Sequence, residues 1–348
     1  MQTRIEVGIL GATGMVGQHF VKFLQGHPWF DLKWLGASDR SAGKKYKDAM
    51  TWHLGVAPET VAGLTVDDCK PGNAPRLLFS AMDAGVATEI ERAFAQAGHV
   101  VVSNSRNHRM EQDVPLLVPE INADHLKLIP GQQRTRGWKG QIVTNPNCST
   151  VVLTMGLAPM KQFGITRLIT TTMQAISGAG YPGVPSMDIV GNVIPFIGNE
   201  EEKMQEETQK ILGEFRGDRI EPLAARVSAH CNRVAVVDGH TVTVSVEFSS
   251  KPSIADLRHA IDTFRALPQE RALPSAPPRP VIYMEEANRP QPRKDAERER
   301  GMAAFIGRLR PCPALDYKFV ALGHNTIRGA AGAAVLNAEL MHSEGMLD

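Results

Sequence analysis

The first apolar run of the chain, Ile5–Leu10, passes directly into Gly11-Ala12-Thr13-Gly14-Met15-Val16-Gly17 and then into a helical pattern over residues 16–25. A strand, a loop of small residues and a helix in that order leave few folds open. The glycines let a backbone approach a pyrophosphate closely, and the free N–H groups and positive dipole end of the helix receive its charge. The spacing is G-x-x-G-x-x-G, and its position between strand and helix within a βαβ unit gives it weight. Short apolar runs at residues 32–37, Leu77–Ser80, Val100–Ser103 and 142–144 continue the alternation, with helical stretches such as 88–97 between them. This predicts a doubly wound, mostly parallel sheet that binds a dinucleotide.

The second half has a different texture. Residues 168–175, 229–237 and 241–249 read as fewer, longer strands, the last with Thr/Ser and Val alternating, among helical patterns at 200–213 and 253–267. Residues 301–309 and 318–322 add to them. An α+β domain with an antiparallel or mixed sheet, one face covered by helices, is expected. Pro-rich residues 273–280 and charged residues 289–300 read as solvated loops, and residues 329–340 as an Ala-rich terminal helix. The expected division is 1–147, completed by 326–348, for the dinucleotide and 148–325 for catalysis and oligomerisation.

A length of 348 residues accommodates two such domains. The formal charge of +1 gives no electrostatic footprint for nucleic acid or an anionic membrane, so neither partner is expected. No apolar run reaches the roughly 18 residues of a membrane span. Met1-Gln2-Thr3-Arg4 leads straight into the first strand, so no signal peptide is expected and the chain reads as cytoplasmic. Cys69, Cys148, Cys231 and Cys312 are scattered without metal-ligand spacing, which points to free thiols and no metal.

Between residues 37 and 45, Asp39 favours the ribose hydroxyls of NAD, while Ser38, Arg40 and Ser41 suit the extra phosphate of NADP. Their sum tips the reading to NADP, with NAD possible. Cys148, in Asn145-Pro146-Asn147-Cys148-Ser149-Thr150, stands between the fifth strand and a helix expected over 150–162. A helix N-terminus lowers a thiol pKa and favours the thiolate. Packing as a small apolar residue is the alternative for Cys148. Gln174 closes an apolar strand before the second glycine loop, and Arg233 and His240 flank a strand end and turn over 234–239. With an ordinary pKa near 6.5, His240 could serve as acid/base, although a lone histidine is more often structural.

The segments GATGMVGQ, SNSRNHRM, VPLLVPEIN, NPNCST, MQAISGAGYPG, NEEEKMQEETQKILG, CNRVAVVDGH and LGHNTIRGAAGAAVLNAEL follow in this order over nearly the whole chain. Together they resemble the aspartate-semialdehyde dehydrogenase family, in its archaeal and fungal branch. The resemblance implies an NADPH-dependent reductive dephosphorylation of aspartyl-β-phosphate in the biosynthesis of lysine, threonine, methionine and isoleucine. It casts Cys148 as acyl-accepting nucleophile, His240 as acid/base and Gln174 as the residue orienting the acyl group. Arg233 would clamp the α-carboxylate, Glu200 meet the α-ammonium, and Arg109 and Lys203 hold the departing phosphate. The run Glu200-Glu201-Glu202 leaves the register of that acid open. Backbone N–H groups at the helix start and Asn147 would hold the oxyanion. Gly11, Thr13, Gly14, Met15, Val16, Ser80, Ser103, Asn104, Ser177 and Gly178 would line the cofactor site with the Ser38 loop, and Asn325 would contact the nicotinamide. A homodimer or homotetramer is implied. An acyl-CoA reductase of the malonyl-CoA kind, or an inactive dinucleotide-binding regulator, are the competing readings.

Overall fold

In the computed structural model, residues 4–347 are described; Met1 to Thr3, read above as the start of the chain, and Asp348 lie outside them. The first sheet contains six parallel strands, β1 (Ile5–Leu10), β2 (Phe30–Ala37), β3 (Val66–Asp68), β4 (Leu77–Ser80), β5 (Val100–Ser103) and β6 (Gln141–Thr144), in the order β3-β2-β1-β4-β5-β6. Near-continuous apolar runs form such strands because both faces are covered. Val7, Ile9, Phe79 and Val102 are fully buried, each contributing about 1.5–3 kcal/mol relative to exposure. Strand β3 escapes the sequence reading because Val66-Asp67-Asp68 is too short and acidic to register as an apolar run.

The second sheet joins seven strands, β7 (Ile165–Gln174), β8 (Val193–Ile194), β11 (Arg226–Val234), β12 (His240–Phe248), β13 (Val281–Met284), β14 (Ala304–Pro311) and β15 (Tyr317–Gly323), in the order β13-β14-β15-β12-β7-β11-β8. A separate hairpin pairs β9 (Glu214–Arg216) with β10 (Arg219–Glu221). The large sheet is mixed, as expected: β11 runs parallel to β7 and β12 antiparallel to it. It has more strands than the sequence suggests, because β8 and β13 are short. The helix begun by Cys148 ends at Leu157, and residues Ala158–Phe163 tighten into a 3-10 turn around Pro159.

Two segments expected as solvated loops each anchor to a buried carboxylate, although Arg293, Lys294 and residues 297–300 of the second are exposed as expected. Ser275 donates its backbone N–H to Glu339 of the terminal helix Gly332–Ser343, and His27 Nε2 lies 2.8 Å from the same buried carboxylate. Arg289 Nε donates to Asp295, which is wholly buried and also accepts from the N–H of Gln291. Local partners for these carboxylates replace water and fix a backbone that is rich in proline. The terminal helix packs Ala334, Leu336, Ala338 and Leu340 into the core of the first sheet, so the chain returns to its starting layer.

Candidate active site

Strand topology explains how distant residues meet. Cys148 follows β6, at the carboxyl edge of the parallel sheet where ligands of such folds bind. Because β7 and β11 are parallel and β12 is antiparallel, the ends bearing Gln174 and Arg233 adjoin the start bearing His240. Arg233 pairs in register with Gln174. His240 Nε2 lies 3.2 Å from Cys148 Sγ.

The backbone of Ala175 orients two of these groups. Its N–H donates to His240 Nδ1 at 3.0 Å, and its carbonyl accepts from Arg233 Nη1 at 2.8 Å. Since Nδ1 accepts, the neutral ring carries its proton on Nε2, directed at the sulfur. Burial, reinforced by Arg233 and His324, pushes the His240 pKa down to about 3, well below the ordinary value expected from sequence. The imidazole is therefore neutral at pH 7, and it gains a proton only where negative charge develops beside it.

The thiol also departs from expectation. Desolvation of the half-buried thiol, then the Glu200 carboxylate, push the Cys148 pKa up to about 12; Arg109 and Arg233 oppose the shift. The helix N-terminus also lowers it, through the Ser149 N–H, but desolvation outweighs that donor. Asn147 is the N-cap, its Oδ1 accepting from Ser149 N–H at 2.9 Å and Thr150 N–H at 3.2 Å. Its Nδ2 donates to Glu200 Oε1 at 2.7 Å. The amide expected to hold an oxyanion, and two of the N–H groups offered for it, are thus committed to capping and to Glu200.

Among the three consecutive glutamates only Glu200 is buried beside Asn147; Glu201 accepts from Cys231 N–H instead. Lys203 pairs with Glu200 at 3.2 Å. Arg109 is buried and gives Nη1 to Glu207 at 2.9 Å and Nη2 to the carbonyl of Asn104 at 2.8 Å. A cavity of about 360 Å³ opens here, lined by Arg106, Asn107, Arg109, Lys203, Glu206 and Glu207 among others. Gln174 is buried, its Nε2 within 3.3 Å of Thr172 Oγ1. The four cysteines are free thiols.

A second cavity, of about 600 Å³, runs along Gly11, Thr13, Gly14, Ala37, Ser38 and Asp39. A Cβ on Gly11, whose φ is +77°, would lie 2.7 Å from the carbonyl oxygen of Ala81, so only glycine fits. Gly14 caps the helix Met15–Phe23 without a side chain, leaving its first N–H groups open to a ligand. Ser38 and Asp39 line this cleft, Arg40 is exposed beside it, and Ser41 is turned inward. Met15 and Val16 open the helix, half-buried.

Ser80 and Ser103 depart from the expected lining. Both hydroxyls donate to the fully buried carboxylate of Glu91, at 2.6 and 2.7 Å, because strand ends without water need an acceptor. Asn104 binds the carbonyl of Ser80 and accepts from Asn145. Asn325 bridges two loops, accepting from Gly239 N–H and donating to Ser177 Oγ, each at 2.8 Å. Gly178 faces the site closely: a Cβ there would lie 2.8 Å from Arg233 Nη1 and 3.0 Å from His240 Cε1.

Comparison with known proteins places this geometry. Residues 6–129 match the profile of the semialdehyde dehydrogenase NAD binding domain, and residues 157–328 that of the semialdehyde dehydrogenase dimerisation domain. An aspartate-semialdehyde dehydrogenase of Methanothermobacter thermautotrophicus is 50% identical over 344 residues, 97% of this chain and 99% of its own. The chain belongs to the aspartate-semialdehyde dehydrogenase family. A Saccharomyces cerevisiae aspartate-semialdehyde dehydrogenase is 44% identical, covering 98% of both chains. The crystal structure of the Candida albicans aspartate-semialdehyde dehydrogenase with NADP superposes at a TM-score of 0.92 and 41% identity, covering 99% of this chain and 100% of that one. By their contacts, three residues that motif reading missed belong to the site: Glu207, Lys210 and Gly329. The spacing 200, 203, 207, 210 repeats on one helix face and could have flagged the first two.

Gly329 lies in the wide turn Ile327–Ala331 that precedes the terminal helix. A Cβ there would come within 2.7 Å of Cys148 Cβ and 3.0 Å of its Cα. Overpacking of this kind costs about 1–3 kcal/mol. Gly329→Ala is expected to lower kcat/KM at least about tenfold while NADP affinity stays within twofold, measured by steady-state kinetics and cofactor titration.

Proposed function

We propose that this chain catalyses the reversible, NADP-dependent interconversion of aspartyl-β-phosphate and aspartate β-semialdehyde through a thioester on Cys148. The observation that carries the reading is the 3.2 Å contact between Cys148 Sγ and His240 Nε2, with Arg233, Glu200 and Arg109 acting electrostatically on the same sulfur. Opposite charges around one nucleophile suit a substrate that is itself a zwitterion. Arg233 would take the α-carboxylate, Glu200 the α-ammonium, and Arg109 with Lys203 the phosphate, while Gln174 orients the acyl group. An acyl-CoA substrate without an ammonium would leave Glu200 only its partners within the chain, Asn147 and Lys203.

In the oxidative direction, Cys148 gives its thiol proton to solvent, the thiolate adds to the aldehyde carbon, and the neutral His240 donates its Nε2 hydrogen bond to the developing oxyanion. As the carbonyl reforms from that oxyanion the proton stays on Nε2, so the ring carries no charge beside Arg233. Phosphate oxygen then attacks the thioester, and sulfur departs as thiolate. A thiol suits both halves because the thioester remains electrophilic and sulfur leaves readily. NADP, when bound along Gly11, Thr13, Gly14 and Ser38, accepts the hydride in this direction and supplies it in the other.

We further assign residues 1–147 with 326–348 to the dinucleotide and 148–325 to catalysis and self-association. Exposed Ile169 on the open face of the second sheet, with exposed Val193 and Phe196 at and beside its β8 edge, supports pairing with another copy. No helix among the described residues is long and apolar enough to cross a membrane. The reading assigns the enzyme to aspartate-family amino-acid biosynthesis in the cytoplasm.

The test is aldehyde oxidation with and without inorganic phosphate, using NADP and NAD. Strict phosphate dependence with aspartate semialdehyde is expected; turnover of malonyl-CoA and none of aspartyl-β-phosphate would overturn the assignment. Because Asp39 lines the cleft where a 2′-phosphate would approach, Asp39→Ser should raise the NADP-to-NAD ratio of kcat/KM at least about threefold. A lower ratio in that variant would remove Asp39 from cofactor choice.

A further inference from the structure

The helix Glu200–Ile211 presents two further buried charges that the proposed chemistry leaves unused. Glu207 is 2% exposed and Lys210 6%. Burying a carboxylate or an ammonium is costly unless each is fully engaged, and each of these is. Glu207 Oε1 accepts from Arg109 Nη1 at 2.9 Å, and Oε2 accepts from the backbone N–H of Asn147 at 2.6 Å. Lys210 Nζ donates to three carbonyls of one loop, those of Arg109 at 2.7 Å, Glu111 at 2.8 Å and Val114 at 2.9 Å. That loop follows β5 of the first sheet, whereas the helix packs on β11 of the second.

One carboxylate thus holds the guanidinium beside the cavity and, with its other oxygen, the residue immediately before the nucleophile. Lys210, one turn further on, fixes the backbone from which Arg109 projects. Arg109 Nε remains without a hydrogen-bond partner among the described residues, so the guanidinium keeps a donor for an anion.

We propose that Glu207, supported by Lys210, is a positioning residue that couples the anion-binding arginine to the Cys148 helix, setting the distance between departing phosphate and thiol. The proposal rests on the reading of Arg109 as a phosphate ligand. Glu207→Gln should raise the KM for inorganic phosphate at least about tenfold and lower kcat about tenfold, with NADP affinity within twofold. Its effect should be non-additive with Arg109→Lys, because both act through the same pair.

An arm without phosphate or cofactor separates coupling from the phosphate reading. Gln keeps one acceptor oxygen for the two donors Arg109 and Asn147 N–H, which loosens the start of the helix, so Cys148 should react with iodoacetamide at least threefold faster in Glu207→Gln even as turnover slows. Should that variant not fold, Lys210→Arg and Glu207→Asp carry the same measurements, with smaller shifts of the same sign expected. If alkylation quickens but phosphate KM is flat in both Glu207→Gln and Arg109→Met, the phosphate reading fails and the coupling stands. Unchanged alkylation, or additive effects with Arg109→Lys, overturns the coupling.

Discussion

Cys148→Ala is expected to lower aldehyde oxidation at least about 10⁴-fold, since removing a covalent nucleophile leaves only binding and polarisation. Cofactor affinity should stay within twofold, because the cleft along Gly11 to Asp39 is formed by other elements. At neutral pH Cys148 is held mainly as the thiol, because desolvation and Glu200 push its pKa up to about 12. Thiolate is the reactive form, and its fraction grows tenfold per pH unit below the pKa. Alkylation of Cys148 by iodoacetamide in the ligand-free enzyme should therefore rise with pH from 7 to 10 without a plateau. Glu200→Gln removes a charge that opposes the thiolate, so alkylation at pH 8 should become faster. A plateau near pH 7 in the parent would mean that the helix N-terminus outweighs burial after all. Cys312, barely buried and with its pKa held down by neighbouring N–H donors and Ser245, is the thiol to monitor as a competitor.

Arg233→Lys is expected to cost about 2–4 kcal/mol, on the order of 30- to 1000-fold in kcat/KM for aspartate semialdehyde. Arg233 is buried and gives one arm, Nη1, to the carbonyl of Ala175, which fixes the plane of the guanidinium. The remaining donors form the fork that a carboxylate would meet, and an ammonium cannot reproduce both the anchor and the fork. The lysine variant should show the defect mainly in KM, with Cys148 alkylation changed less than threefold. His240→Asn should instead depress kcat by about 10²–10³-fold with little change in substrate affinity, since its Nε2 hydrogen bond acts on charge that develops beside Sγ. An Arg233→Lys enzyme within twofold of the parent would remove the carboxylate clamp and bring the acyl-CoA reading forward.

Much of this was legible in the chain because the strongest signals are local. Strands β1, β4 and β5 are bounded in the sequence as they are in space, for each is an apolar run between turn residues. The order of motifs placed Cys148, Gln174, Arg233 and His240, and strand direction then explains why they meet. What could not be read depends on who satisfies whom after burial. Ser80 and Ser103 resemble cofactor-facing hydroxyls until Glu91 is seen between them. Asn147 resembles an oxyanion donor until its amide is spent on capping and on Glu200. The loops around Ser275 and Asp295 appear solvated until their buried carboxylate contacts are traced. Helix dipole and desolvation act oppositely on Cys148, and only the packed environment decides between them.

The most direct test of the thioester is intact and peptide mass spectrometry of the enzyme mixed with aspartate semialdehyde and NADP in the absence of phosphate. An aspartyl adduct on the Cys148 peptide, formed with one equivalent of NADPH and discharged on adding inorganic phosphate, is the predicted result. Phosphate-dependent turnover with no adduct on Cys148, or an unaltered rate in Cys148→Ala, would contradict it.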